Sequence, residues 1–271
     1  MNAAATSARV DLDAYFERIG WRGEARPDHV TLAGLLAAHM SRIPFENLDV
    51  LLGRGVCLDL AALSAKLVRD RRGGYCFEHA TLFAAVLEQI GFSVVRQSAR
   101  VLLYLPRHLA PRTHMFLVVD LPEGRFVADP GFGGLAARVP VPLSPGKQVR
   151  SPGMLHWMAR DADAWVLRAE VDGAARDCWV ATSEAEYPID FELANHYTAT
   201  HPASAFRNRL MLRAFSGAAE VRVMNRDVTI VRGTASQASV LADRAALRAL
   251  LRDHFGFDLP EVETMEVPEW R

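Results

Sequence analysis

Apolar residues recur at helical spacing through the first third of the chain, then gather into short β-branched and aromatic runs through the middle third. The first pattern predicts four helices. Asp11 caps one whose apolar face is Leu12, Tyr15, Phe16 and Ile19, and Gly20 closes it. Thr31 opens a second, which Pro44 stops after Ile43. Asp59 caps a third, with Leu60, Leu63 and Leu67 on one face, and the pair Gly73-Gly74 ends it. A fourth starts at or near Cys76, runs through Phe83, Val86 and Leu87, and reaches a C-cap at Gly91. Together they predict a helical subdomain.

The second pattern predicts strands at Phe92–Val95, Val101–Leu105, Met115–Val119, Trp165–Val171 and Trp179–Ala181. Pro122-Glu123-Gly124 and Asp172-Gly173 are the turn signals between them. Short strands in succession suggest an antiparallel sandwich or barrel. The last third is mixed. Glu220–Met224 and Val228–Val231 read as a hairpin across Asn225–Asp227. Asp243 then caps a final helix with Leu247, Leu250, Leu251 and Phe255 on its buried side. No internal repeat and no Pro- or Ser-rich linker interrupts this order, so the parts are expected to pack as one body.

Composition narrows the class. Of 271 residues half are hydrophobic, and 31 basic residues nearly balance 32 acidic ones. That excludes disorder, and a net charge of −1 gives no bulk attraction for nucleic acid or an anionic membrane. Three cysteines, an odd and sparse count, argue against a disulfide scaffold and suit a reducing, cytoplasmic setting. The opening MNAAATSARVDLDAYF lacks a basic region followed by an apolar run, so no signal peptide is expected. Charges interrupt every hydrophobic segment, so no spanning helix is expected either.

The chemistry concentrates in Arg71-Arg72-Gly73-Gly74-Tyr75-Cys76-Phe77-Glu78-His79. Cys76 follows a double-glycine turn and starts a predicted helix. Free N–H groups and partial positive charge at a helix N-terminus stabilise a thiolate. The segment therefore reads equally as an activated nucleophile or as a buried packing cysteine. Cys57 and Cys178 lack these features and read as packing. A nucleophilic thiol needs a base and a group to orient it. His114 stands at the entry of the strand beginning at Met115, and Asp129 at the exit of the next. Antiparallel pairing across the Pro122–Gly124 turn brings the two together. Hairpin geometry plus a thiol favours a Cys-His-Asp triad over isolated structural roles.

Cys76 and His79, three apart on a helix, could share a metal, but no CxxC, HExxH or paired ligand cluster supports one. No metal is expected, and His79 reads as a helix-surface or supporting residue. Gly131-Phe132-Gly133-Gly134 could admit an anion to backbone N–H groups, yet it lacks the Walker ending and the strand–helix context; its plainer reading is a turn.

Five blocks in order carry a resemblance. They are Ile43-Pro44-Phe45-Glu46-Asn47-Leu48, Arg72-Gly73-Gly74-Tyr75-Cys76, Thr113-His114, Asp129-Pro130-Gly131-Phe132-Gly133, and Asp190-Phe191-Glu192-Leu193-Ala194-Asn195-His196-Tyr197 running into Thr200-His201-Pro202. In these the chain resembles the prokaryotic arylamine N-acetyltransferases over nearly its whole length. The resemblance implies an α+β, multidomain fold: an N-terminal helical bundle (1–92) carrying the cysteine, a central antiparallel β-barrel (93–190) carrying the histidine and aspartate, and an interdomain connection with a C-terminal α/β lid (191–271). A helical connection is implied near Asn195. The implied core is a cysteine-protease-like Cys-His-Asp set.

The resemblance also implies acetyl-CoA as co-substrate, no permanently bound cofactor, and an aromatic amine, hydrazine or N-hydroxyarylamine as acceptor. A monomer or homodimer without nucleic acid or membrane partners is implied. Matched position by position, the catalytic residues are Cys76, His114 and Asp129. Phe45, Thr113, Gly131, Phe132, Gly133 and Phe206 fall in the substrate-binding region, and Arg72 pairs with Glu46 to support the nucleophile turn. The chain departs from the common family pattern at Ala80, where relatives commonly carry Asn. Other readings fit the same residues. They are a macrolactam-forming amide synthase using a tethered thioester, a transglutaminase-like or papain-like thiol hydrolase, and a non-catalytic relative that binds CoA or a small molecule.

Overall fold

The computed structural model describes residues 9–151, 153–217 and 219–270. Residues 1–8, part of the segment read for a leader, lie outside the described residues. The N-terminal part holds α1 (Leu12–Ile19), α2 (His29–Arg42), the short strand β1 (Phe45–Glu46), α3 (Leu48–Leu51), α4 (Leu60–Leu63) and α5 (Cys76–Ile90). Asp11 caps α1 by accepting from Ala14 N at 3.0 Å, and Gly20 closes it in the left-handed conformation, as the sequence predicts.

Two expected boundaries move. Helix α2 starts at His29, because the Asp28 side chain accepts from Thr31 N at 2.8 Å and is the cap. The third helix stops short of the glycine pair: α4 widens into a π-helical turn, Ser64–Arg69, and Asp70 ends it. Gly73 and Gly74 instead run extended against Pro44–Glu46, with Glu46 N donating to Gly74 O at 2.8 Å. A Cβ on Gly73 would lie 2.0 Å from the Pro44 carbonyl oxygen, so only glycine permits this approach.

The middle of the chain supplies β2 (Ser93–Val101), β3 (Arg112–Leu121), β4 (Gly124–Ala128), β5 (Val141–Pro142), β6 (Val149–Ser151), β7 (Met154–Asp161), β8 (Ala164–Val171) and β9 (Ala174–Thr182). They form one antiparallel sheet of eight strands in the order β5-β4-β3-β2-β9-β8-β7-β6. Past β5 the chain returns to β7, where Gly146 N donates to Met158 O at 2.8 Å, so the sheet curls into a nearly closed barrel. Val101–Leu105 is not a separate strand, because β2 runs unbroken from Ser93 to Val101. Its polar stretch hid it. Gln97 is buried with its amide nitrogen donating to Glu184 O at 2.9 Å, and Ser98 N donates to Glu186 Oε2 at 2.5 Å.

Helix α6 (Pro188–Thr200), which includes Asn195, and the short α7 (Ala205–Asn208) lead to β10 (Met211–Ser216), β11 (Ala219–Met224), β12 (Asp227–Arg232) and β13 (Ala235–Val240). These four strands take β1 as a fifth, in the order β1-β10-β11-β12-β13. The expected hairpin is β11–β12, its ends pairing as Met224 with Asp227. Asp243 caps α8 (Arg244–Leu250), which continues as a π-helical turn to Phe255. Leu247, Leu251 and Phe255 bury against this second sheet, and Leu48 joins them. The larger core is shared by the helices and the barrel. Among the described residues no helix is long and apolar enough to cross a membrane.

Candidate active site

Cys76 is the first residue of α5 and is 2% exposed. Glu78 reaches back to accept from Tyr75 N at 3.0 Å, which fixes the first turn of the helix. The Cys76 thiol lies 3.7 Å from the Thr113 carbonyl oxygen. Above it, a Cβ on Gly131 would sit 2.5 Å from Cys76 Cα, so the Asp129–Gly133 turn can cover the cysteine only with glycine at this place.

Strands β3 and β4 bring His114 and Asp129 together as the hairpin argument requires. His114 Nε2 and Asp129 Oδ2 are 2.8 Å apart and both residues are buried. Burial alone would lower the imidazole's pKa. The Asp129 carboxylate outweighs it and, with Cys76 close by, pushes His114 up to about 10. With Nε2 engaged by the carboxylate, Nδ1 is the ring nitrogen left for the thiol. Trp179, which has no exposed surface, donates from Nε1 to the same Oδ2 at 3.0 Å. The other oxygen, Oδ1, is buried and has no hydrogen-bond partner among the described residues.

Aromatic rings surround this set. Phe132 lies 5.1 Å from the His114 ring. Phe206 meets Tyr75 edge-on at 5.3 Å and lies 6.3 Å from Phe45. Gly133 approaches the Phe45 ring, where a Cβ would be 3.7 Å from it. Asn47 holds the Phe206 segment in place by donating to the Phe206 and Arg209 carbonyls at 2.8 and 2.7 Å. The Tyr75 hydroxyl donates to Asn195 Oδ1, tying α6 to the residue before the cysteine.

Beneath the nucleophile turn, Arg72 donates to Glu46 Oε1 from Nε at 3.0 Å and from Nη2 at 2.7 Å, the pair that the resemblance implies. The cluster is larger than that pair. Lys66 bridges Asp49 and Glu78, each at 2.7 Å, and Arg72 also reaches Asp49 at 3.1 Å. Burial pushes Glu78 up to about 7 against the pull of Lys66.

His79 is not on the helix surface but 1% exposed. Its Nε2 lies 3.2 Å from the Pro44 carbonyl, and its Nδ1 lies 2.8 Å from His39 Nε2; His39 Nδ1 meets the Tyr15 hydroxyl at 2.8 Å. A carbonyl only accepts, which fixes every proton in the chain. His79 Nε2 donates to Pro44, His39 Nε2 donates to His79, and Tyr15 donates to His39. Burial lowers His39 well below its ordinary value and His79 to about 4, so both rings are neutral at ordinary pH.

Of the remaining cysteines, Cys178 is buried and burial pushes its thiol up to about 12. Cys57 is exposed in the loop before α4, against the packing role expected of it. The sequence reading missed Trp179, Lys66, Asp49 and the His39–His79 chain. Only Trp179 left a signal, since a buried indole N–H requires an acceptor.

A profile of the N-acetyltransferase family matches residues 28–264. The arylamine N-acetyltransferase of Mycolicibacterium smegmatis is 37% identical over 264 residues, covering 95% of this chain and 96% of that one. A Salmonella typhimurium protein named arylamine N-acetyltransferase / N-hydroxyarylamine O-acetyltransferase is 34% identical, covering 93% of this chain and 90% of its own. The solved Mycobacterium marinum arylamine N-acetyltransferase in complex with CoA superposes with a TM-score of 0.88 at 33% identity, covering 93% of this chain and 94% of that chain. The chain belongs to the arylamine N-acetyltransferase family.

Proposed function

We propose that this protein transfers an acetyl group from acetyl-CoA to an arylamine, a hydrazine or an N-hydroxyarylamine by a ping-pong route through acetyl-Cys76. The carrying observation is Cys76 at a helix N-terminus together with a buried His114 that Asp129 holds at 2.8 Å and pushes up to about 10. The family likeness along nearly the full length, and the CoA bound by a solved relative, favour acetyl-CoA over the tethered thioester or amide that the rival enzyme readings require. The same likeness, with all three residues retained, disfavours a non-catalytic binder.

In the first half-reaction the Cys76 thiolate adds to the thioester carbonyl. The bond to the CoA sulfur breaks, and the proton on His114 Nδ1 goes to that sulfur. Asp129 holds the ring in the required tautomer and stabilises its positive charge. The amine nitrogen then adds to acetyl-Cys76, the cysteine sulfur leaves as thiolate, and neutral His114 takes the amine proton. The imidazolium–thiolate pair is restored, and the products are free CoA and the acetylated acceptor. Cys76 N–H, at the start of α5, is the oxyanion donor in this reading. Phe45, Phe132 and Phe206 form the dry walls against which an aromatic acceptor packs, with Thr113, Gly131 and Gly133 lining the cleft. Glu46 and Arg72 support the nucleophile turn. The parts divide the work: 1–92 supplies the nucleophile, 93–190 the base and its orienter, and 191–271 the cover over Phe45.

Brief exposure to acetyl-CoA without acceptor, followed by intact-protein mass spectrometry, tests the first step. The expected result is a gain of one acetyl group mapping to Cys76. Unmodified protein with unconsumed donor overturns the reading.

A further inference from the structure

A cavity of about 230 Å³ opens inside the barrel, and neither Cys76 nor the Phe45, Phe132 and Phe206 rings line it. Residues from β2, β3, β7, β8 and β9 converge on it. Its floor is Phe116 stacked on Trp179, with centroids 4.3 Å apart and planes at 26°. Met158, fully buried, and Trp165 form the sides, and half-exposed Val95 stands at the mouth. The polar groups at the rim are largely engaged. Gln97 spends its amide nitrogen on the Glu184 carbonyl at 2.9 Å, which leaves its amide oxygen as an acceptor. The Glu184 carboxylate is paired with Arg112 at 3.0 Å, and the Arg125 guanidinium, also in the lining, with Asp120 at 2.9 Å, so each of these charges already has its counter-ion.

We propose that the barrel lumen is a second binding site, for a small neutral aromatic molecule of one or two rings with a single N–H or O–H donor, and that its occupation is transmitted to the catalytic pair through Trp179. The volume supports this size, since a dry cavity of about 150 Å³ already holds benzene. Three aromatic faces and an adaptable methionine suit a flat apolar body, and the Gln97 oxygen suits one donor. The transmission is short. The indole at the floor of the cavity donates to the same Asp129 oxygen that holds His114. A ring seated in the cavity packs on Phe116 and Trp179 and so restrains the indole whose N–H holds that oxygen. The coupling rests on the reading of His114 and Asp129 as catalytic; the binding does not.

Indole is the probe. It is titrated into the full chain with Cys76 blocked by iodoacetamide, while the indole N–H resonances of Trp165 and Trp179 are followed by NMR. Saturable shifts of both are expected. Val95→Phe, at the mouth, weakens binding at least tenfold, as does Ala181→Leu within the wall, so the test survives if one variant misfolds. In unblocked protein, saturating indole raises the rate of Cys76 alkylation about fivefold, the low end for coupled sites. No saturable shift, or unchanged affinity in both variants, overturns the site. An unchanged or slower alkylation rate overturns the coupling. Indole binding in a protein that forms no acetyl-Cys76 keeps the site and removes the transferase reading; acetyl transfer without indole binding does the reverse.

Discussion

His114 and His79 are equally buried, both touch the first turn of α5, and their protons behave in opposite ways. Burial pushes each toward the neutral form. His114 has a carboxylate at 2.8 Å and rises to about 10; His79 has a carbonyl and another imidazole and falls to about 4. A full negative charge at hydrogen-bond distance outweighs desolvation, whereas dipoles do not. One histidine is thereby held protonated beside the cysteine, and the other is a link in a neutral wire. The sharpest way to break this contrast is Asp129→Asn, which leaves a hydrogen-bond partner and removes the charge. Acetyl transfer is expected to fall by about 10⁴, the size of the loss when a Ser-His-Asp triad is deprived of its carboxylate. Steady-state CoA release measures it. A loss under tenfold would mean that the charge of Asp129 does not set the reactivity of His114.

A third arrangement lies below the same turn, where Lys66 and Arg72 meet Glu46, Asp49 and Glu78. Here two cations meet three carboxylates, so each group depends on the others. Arg72→Met strands Glu46, a carboxylate with no exposed side-chain surface, and is expected to cost about 3–5 kcal/mol. Urea unfolding gives the number, and a cost below about 1 kcal/mol would show that Lys66 alone satisfies the cluster.

The contrast was half visible before the fold was known. His114 and Asp129 were legible because a short hairpin turns sequence separation into spatial contact. The caps of α1 and α5 were legible because Asp11, Gly20 and Gly91 act within one helical turn. The Arg72–Glu46 pair came from the family pattern, since nothing local joins residues so far apart. His39 and His79 were not legible, because their partners come from α1, α2 and the Pro44 turn, which only tertiary packing assembles. Strand β2 was misread for a related reason: its polar residues look solvent-facing until Glu184 and Glu186 arrive from beyond β9 to satisfy them.

Opposite shifts give opposite pH responses. The folded pKa of His79, about 4, lies below its ordinary 6.5. The unfolded chain then binds the extra proton, so the stability linked to His79 is present above pH 6.5 and is lost as pH falls toward 4. His114 rises from 6.5 to about 10, so its contribution is present below pH 6.5 and is lost as pH climbs through 10. His79→Gln, which keeps a donor for Pro44 but cannot take up a proton, is expected to flatten the acid limb by about 3 kcal/mol between pH 6.5 and 4. The alkaline limb should keep its slope. Denaturation midpoints across pH check both, and an unchanged acid limb would place the acid sensitivity elsewhere.

The smallest effect expected tests the direction of the wire. If the Tyr15 hydroxyl donates to His39, then Tyr15→Phe leaves His39 Nδ1 without its donor in a site that admits no exposed surface. The cost of one unmet acceptor is about 1–2 kcal/mol, read from the unfolding midpoint. The remaining protons do not need to move, because His39 Nε2 still donates to His79 and His79 still donates to Pro44. Nitrogen-15 spectra of the variant should therefore show both rings in the same Nε2–H tautomer as in the parent, and Cys76 should alkylate at the parent rate. A tautomer flip at His39 would reveal that Tyr15 sets the order of the chain from its far end. The Pro44 carbonyl would then no longer be the group that fixes it.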